Sequence, residues 1–237
     1  MPKSENPNPL IQNRLLAALP GKVYEQFASE LEFVPLALGD VLYEAGKPIA
    51  DIYFPNDGMV SLTSTEDSNA IIEIGVIGSE GMVGIAAFLG GGQMPNRAIV
   101  QISGSAMRIC AEQFNNGFLS DAGVQKSLLR YTQALMTQIS QTAVCNRIHS
   151  LEARFTRWLL LSHDRAASDE FMLTQEFIAY MLGASRQSVS EAASRLQDAN
   201  LIYYVRGKIT ILDRAKIESA TCNCYRIVKD EFNRLSV

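Results

Sequence analysis

Thr174-Gln-Glu-Phe-Ile-Ala-Tyr-Met-Leu-Gly-Ala-Ser-Arg-Gln-Ser-Val-Ser-Glu-Ala-Ala-Ser-Arg-Leu196 is the stretch whose reading decides the fold. Thr174 is a cap residue, and Phe177, Ile178, Met181 and Leu182 form one apolar side of a short helix. Gly183 sits where a helix ends in the left-handed region. Ser185 then caps a second helix in which Val189, Ala192, Ala193 and Leu196 follow the i, i+3, i+4, i+7 spacing of a buried stripe. That stripe leaves Arg186, Gln187, Ser190, Glu191 and Ser194 outward. A helix start accepts phosphate, Arg pairs two donors with guanine and Gln pairs bidentately with adenine, so the pattern follows helix-turn-helix logic. An αα-hairpin buried in a core shares the same spacing.

The next residues favour the first of these readings. Leu201-Ile-Tyr-Tyr-Val205 and Lys208-Ile-Thr-Ile-Leu212 are β-prone segments joined by Arg206-Gly207, which predicts a hairpin wing with cationic Arg206 and Lys208 at its tip. Upstream, Leu151, Phe155, Trp158, Leu159 and Ser162 share one face of a helix, with Trp158 in the core.

These segments, with Gly39-Asp-Val-Leu-Tyr-Glu-Ala-Gly46, Ile52-Tyr-Phe54, Gly81-Met-Val-Gly84, Arg97-Ala98 and Arg206-Gly-Lys-Ile-Thr-Ile-Leu-Asp213, resemble the Crp-Fnr superfamily of bacterial transcription regulators over nearly the whole chain. The resemblance implies an α+β chain: an N-terminal antiparallel β-roll (jelly roll) of the cyclic-nucleotide-binding type, a dimerising connector helix and a C-terminal winged helix-turn-helix. Units are expected at 1–120, 121–149 and 150–237. Partners implied are double-stranded DNA, a second copy of the chain and RNA polymerase. No enzyme activity, cofactor or metal is expected, since no nucleophile, base and orienter set stands out. The rival readings are an effector-binding module that acts through protein contacts without DNA, and a small hydrolase or transferase using the β-roll cavity.

Within the recognition motif, Arg186, Gln187 and Glu191 are the expected base readers. Thr174, Gln175, Ser185, Ser188, Arg195, Arg206 and Lys208 are expected at the DNA backbone.

From Glu32 to about Ala111, short β-prone runs (Val41-Leu-Tyr43, Ile52-Tyr-Phe54, Met59-Val-Ser-Leu-Thr63, Ala70-Ile-Ile-Glu-Ile74, Ala98-Ile-Val-Gln-Ile102) alternate with Gly, Pro, Asn and Asp, which also reads as a barrel or jelly roll. In nucleotide-binding relatives a Gly-Glu pair meets the ribose and an Arg followed by Ser or Thr holds the phosphate. Gly84, Ile85, Arg97 and Ala98 stand at those places here, so the carboxylate and the hydroxyl are both missing. Cyclic AMP is therefore not expected as the ligand, and the small-molecule effector stays unidentified. Gly81, Gly84 and Gly90-Gly-Gly92 read most simply as turn residues.

Before the roll, Leu10–Leu31 carries two helical patterns (Ile11, Leu15, Leu16, Leu19; Val23, Phe27) split by Pro20-Gly21. After it, Gly123–Asp164 reads as one long helix and a second after a break near His149. Leu128, Leu135 and Thr142 repeat every seven residues with Ile139 between them, a seam expected to join two copies.

Bulk properties agree with a sensor joined to a DNA reader. The net charge of −4 is uneven: residues 1–120 hold 6 Lys or Arg against 13 Asp or Glu, and residues 121–237 hold 15 against 12. The start, Met1–Pro9, has no signal-like apolar core and no run is long enough for a bilayer, so a cytoplasmic location is expected. Four scattered cysteines (Cys110, Cys145, Cys222, Cys224) suit a reducing compartment. Cys222 and Cys224 are two thiols that could bind a soft metal or oxidise, but two apart on the last helix they point in different directions, and His149 and His163 read as helix-surface or helix-end residues without metal partners.

Overall fold

The computed structural model describes residues 12–19, 21–65, 71–166 and 168–235. Met1–Pro9, Leu10, Ile11, Pro20 and Ala70, read above, lie outside the described residues, as do the side chains of Val23 and Phe27. Two short helices come first, α1 (Arg14–Ala17) and α2 (Gly21–Ala28). Five strands follow: β1 (Glu32–Leu36), β2 (Val41–Tyr43), β3 (Asp51–Thr65), β4 (Ile71–Ile77) and β5 (Arg97–Cys110). All pair antiparallel in the order β1-β5-β3-β4, with β2 also on β5.

The runs Ile52–Phe54 and Met59–Thr63, read as separate strands, belong to the single 15-residue β3. Pro55 and Gly58 interrupt its register without ending it, because strand punctuation can mark a bulge as well as a terminus. Gly58 has φ +79°, and a Cβ there would stand 2.5 Å from the Ile102 carbonyl oxygen, so the bend requires glycine. The bent sheet closes over Ile52, Phe54, Val60, Leu62, Ile77, Val100 and Ile109, all at most 3% exposed. Phe54 packs on Phe114 of α3 (Ala111–Ser120) at 5.8 Å between ring centroids.

The long helix α4 (Ala122–Ile148) starts at Asp121, whose carboxylate accepts from the Gly123 and Val124 amides, and ends at His149. Its buried stripe is Val124, Leu128, Tyr131, Ala134 and Leu135, packed into the core of the roll. This corrects the expected dimer seam: Leu128 and Leu135 are each 1% exposed within their own chain. Ile139 and Thr142 are half-buried beside them. The apolar side chains of α4 left in solvent are Leu129 (55% exposed) and Met136 (63%), each one position on from a seam leucine, and Val144 (43%) and Ile148 (65%) nearer its end. A heptad pattern fixes the period of a helix face, but Leu128 and Leu129 both satisfy it, and burial chose between them.

α5 (Leu151–His163) begins a second core with α6 (Gln175–Leu182), α7 (Arg186–Asp198) and a three-stranded sheet ordered β6-β8-β7. Its strands are β6 (Glu170–Met172), β7 (Ile202–Val205) and β8 (Lys208–Ile211); β6 carried no sequence signal. Phe155, Trp158 and Leu159 fill this core as the spacing predicts, at no more than 2% exposure. α8 (Arg214–Ala220) caps it, and α9 (Cys224–Leu235) returns along α4 to place Val228, Phe232 and Leu235 in the first core. Among the described residues, no helix is long and apolar enough to cross a membrane.

Buried polar contacts join the two cores. The Arg165 guanidinium, at the end of α5, donates from Nε to Glu80 Oε1 at 2.9 Å, and the pair is 8% and 5% exposed. Gln138 accepts from the Val76 amide at 2.7 Å. Trp158 Nε1 donates to Glu73 Oε1 at 3.0 Å, while Ser61 Oγ donates to Glu73 Oε2 at 2.7 Å.

Burial raises the Glu73 carboxyl to about 7, opposed by those two hydrogen bonds and by Arg157. A carboxyl raised on folding binds its proton more tightly in the native state, so stability falls as pH rises from the ordinary value of 4.5 to about 7 and is level above that. The interval corresponds to about 3 kcal/mol. Glu73→Gln should therefore flatten the pH dependence of urea-unfolding free energy between pH 5 and 8. A slope unchanged by the substitution would mean that Glu73 does not titrate in this window.

Candidate nucleic-acid interface

Two helix starts and a hairpin tip meet on one side of the second core. Thr174 Oγ1 accepts from the Phe177 amide at 3.2 Å and so caps α6. Gly183 ends α6 at φ +56°, ψ +47°, and Arg154 of α5 donates to the Leu182 carbonyl. Ser185 Oγ accepts from the Ser188 amide at 3.1 Å and caps α7. Val189, Ala192, Ala193 and Leu196 are buried, with at most 3% exposure, which turns Arg186, Gln187 and Glu191 to solvent. The Gln175 amide donates to Ser190 Oγ at 3.3 Å and ties α6 to α7.

In the β7–β8 hairpin both central residues have positive φ, Arg206 at +52° and Gly207 at +78°. Type I′ turns need that signature, and it matches the twist of the flanking strands. Thr174, Gln175, Glu176, Arg186, Tyr204, Arg206 and Gly207 line a cleft of about 470 Å³ between α6, α7 and the wing. The cleft brings together a capped helix start, a hydroxyl, an amide and two guanidinium groups, which suit a phosphate chain, and the Glu176 carboxylate, which does not and which accepts from the Tyr180 hydroxyl at 3.2 Å. Among the described residues neither Arg186 nor Arg206 is held in an ion pair, whereas the two other expected backbone cations are. Arg195 Nε donates to Glu152 at 2.9 Å, and Lys208 pairs with Glu170 across β6 and β8.

Glu191 accepts from Gln187 Nε2 at 3.2 Å, one turn along the same helix. Ser185 and Ser188 share a hydroxyl contact of 2.8 Å. The sequence reading missed Tyr204, a wall of the cleft whose hydroxyl donates to the Leu173 carbonyl at 2.7 Å. Burial pushes its phenol up to about 12, partly offset by the charge of Arg186. The Tyr203-Tyr204 pair announced one inward ring, but strand alternation alone does not say which.

The expected effector residues lie on the roll. Gly84, at φ +103°, opens a single 3-10 turn, Ile85–Ala87. A Cβ at Gly84 would meet the Asp51 carbonyl oxygen at 3.3 Å. Ala98 is fully buried in β5, and Arg97 Nε lies 3.9 Å from Glu44 Oε2. The nearby Gly78-Ser-Glu-Gly81 has another use. A Cβ at Gly78 would stand 2.5 Å from Arg165 Cγ, and one at Gly81 would stand 2.3 Å from the Tyr131 ring. Tyr131 donates to the Met82 carbonyl at 2.9 Å. Gly81 closes the expected turn, its amide donating to the Gly78 carbonyl at 3.1 Å, and also allows close packing, so this half of the glycine run seats α4 and α5.

A family model described as "Cyclic nucleotide-binding domain" matches residues 33–121, and one described as "Crp-like helix-turn-helix domain" matches residues 153–220, together about two thirds of the chain. No curated protein matches the sequence. Among solved structures, a protein from Eubacterium rectale classed with the crp/fnr transcriptional regulators superposes with a TM-score of 0.68 at 18% identity, over 90% of this chain and 97% of that one. TTHB099, a CRP-family transcriptional regulator from Thermus thermophilus, gives 0.65 at 20% identity, over 78% and 95%. FixK2 from Bradyrhizobium japonicum gives 0.65 at 15% identity, over 81% and 98%. At these identities the structures carry the fold alone.

The side chains at 85 and 98 generate a test. A cyclic nucleotide here would leave its ribose hydroxyls beside Ile85 and its phosphate without a hydroxyl donor at Ala98, a loss of about 1–3 kcal/mol for each unsatisfied group. Isothermal calorimetry with cyclic AMP should give no binding heat, and DNA affinity should not respond to it. Micromolar binding would refute the reading of this site.

Proposed function

The chain belongs to the Crp-Fnr superfamily of transcription regulators, and from that premise we propose that this DNA-binding regulator reads a palindrome of two half-sites as a homodimer. The observation that carries the reading is the cleft of α6, α7 and the wing, with Arg186 exposed on the first turn of α7 and Arg206 at the hairpin tip. In helix-turn-helix recognition the start of the second helix enters the major groove, which assigns Arg186 and Gln187 to base edges, with Glu191 orienting Gln187. Thr174, Gln175, Ser185, Ser188 and Arg206 are assigned to phosphates. Arg195 and Lys208 contribute less to that charge, because Glu152 and Glu170 already pair with them. We further assign residues 1–120 to sensing, 121–149 to pairing and 150–237 to DNA. RNA polymerase and an effector other than cyclic AMP complete the partners, and cytoplasmic action goes with this role.

For pairing, we place the second copy against the exposed row Leu129, Met136, Val144 and Ile148 of α4. Two such helices related by a twofold axis bury these side chains without disturbing the roll. Selection of random duplexes by the purified protein, followed by sequencing, tests the reading: an enriched palindrome supports it, and salt-dependent binding that is absent altogether favours a protein-contact module.

Arg186→Ala should cost about 1–3 kcal/mol on the selected duplex and far less on random DNA, so discrimination at one base pair of each half-site collapses. Arg206→Asn keeps a residue tolerant of positive φ, and it should weaken both kinds of DNA alike and reduce the salt slope by about 0.9 for each phosphate no longer neutralised. If Arg186→Ala weakens both alike, that residue touches phosphate.

The pairing surface has its own measurement. Leu129→Asp with Met136→Asp should leave a folded monomer in sedimentation velocity, whereas Leu135→Asp should unfold the roll. A dimer that persists in the double variant moves the interface elsewhere.

A further inference from the structure

Three of the chain's four cysteines and one of its two histidines converge at the far end of α4. Cys145 and His149 are four apart at the C-terminus of α4, so they lie on one side of it. Cys222 lies in the turn before α9 and Cys224 is the first residue of that helix. The expectation that both ride the helix and point apart is thereby corrected, and so is the absence of partners for His149. Cys145 Sγ is 3.6 Å from Cys222 Sγ, Cys224 Sγ is 3.7 Å from His149 Nδ1, and all four ligand atoms lie within 4.8 Å of one another.

We propose that Cys145, His149, Cys222 and Cys224 bind one zinc ion in a closed tetrahedral site. With Zn–S of about 2.3 Å and Zn–N of about 2.0 Å, a regular tetrahedron separates sulfurs by about 3.8 Å and sulfur from nitrogen by about 3.5 Å. The Cys145–Cys222 and Cys224–His149 contacts fall close to those separations. An iron–sulfur cluster, whose inorganic sulfides stand between its ligands, needs a wider spacing. Three thiols and an imidazole favour zinc over magnesium, calcium or manganese, and four protein ligands leave no coordination position for a substrate. Zinc binding converts three thiols to thiolates, releases three protons and gives a complex of net charge −1.

A counter-charge is in place. Arg157 is 5% exposed, donates from Nη2 to Thr142 at 2.9 Å, and has a buried Nε without a hydrogen-bond partner among the described residues. Cys145 and Cys224 are buried, while Cys222 faces a surface depression with Asn223 and Arg226, which gives an ion a way in. The site clamps the end of the long helix to the turn between α8 and α9.

The test uses the full-length protein purified under reductant, stripped with chelator and reloaded with Zn²⁺ or Co²⁺. Mass spectrometry of bound metal should find one zinc per chain, and cobalt should give the intense visible bands of a tetrahedral site with thiolate-to-cobalt charge transfer. Cys222→Ser and His149→Ala should lose the stoichiometric ion, and Cys110→Ser should keep it. Cys224→His, which preserves a ligand, should retain binding even if Cys224→Ser fails to fold. No stoichiometric metal after reloading overturns the proposal. So do iron with inorganic sulfide, and a Cys145–Cys222 disulfide in the peptide map of the reduced-purified protein.

Discussion

The buried ion pair between Glu80 and Arg165 is the constraint on which the arrangement of the two cores depends. Taking both charges out of water costs several kcal/mol per ion unless each finds its counterpart, so the pair specifies one docking geometry rather than adding much stability. Its surroundings enforce the same geometry. Gly78 leaves room for the Arg165 stem, Gly81 leaves room for the Tyr131 ring, and the Gly78 amide donates to Glu80. Shift α5 by a fraction of a turn and a carboxylate, a guanidinium and the Glu73–Trp158 contact all lose their partners together. The position of α6 and α7 relative to the roll is therefore set through α5, at a distance from the cleft itself.

That arrangement also gives the roll a physical route to the interface. β4 carries Glu73 and Val76, which touch α5 and the end of the Gln138 side chain, and Val76 sits in the second core with Trp158. A ligand that moved β4 or the Gly78–Gly81 segment would act on the same buried polar contacts that fix α5. These side chains belong to both cores, and α4 gives way to α5 at His149–Ser150.

The recognition motif was legible because its signals are local. Thr174, Ser185 and Gly183 do within four residues what the sequence says they do, and the 3.6-residue stripe of α7 needs no knowledge of the rest of the chain. Strand boundaries were less so, since Pro55 and Gly58 look like terminators and become a bulge only when β5 lies alongside. Leu128 and Leu135 were expected at a seam between copies, but Leu128-Leu129 offers two adjacent leucines and only the roll decides which of them is covered. The partners of Arg195 and Lys208, and the meeting of Cys145 with Cys222, involve residues 38 to 77 positions apart, which no periodicity reports. Base and phosphate assignments rest on the exposure and placement of side chains in the cleft.

The turn before α9 brings the end of the α5–α8 unit back to its start, with Cys222 beside Cys145. With an ion held at that junction, tension applied between α4 and α9 would run across it and bypass α5, α6, α7 and the wing. The recognition helices hang outside the load path, like a loop tied off at its neck. The same closure makes the unit transplantable in outline, since its two ends would meet any host scaffold at nearly one point.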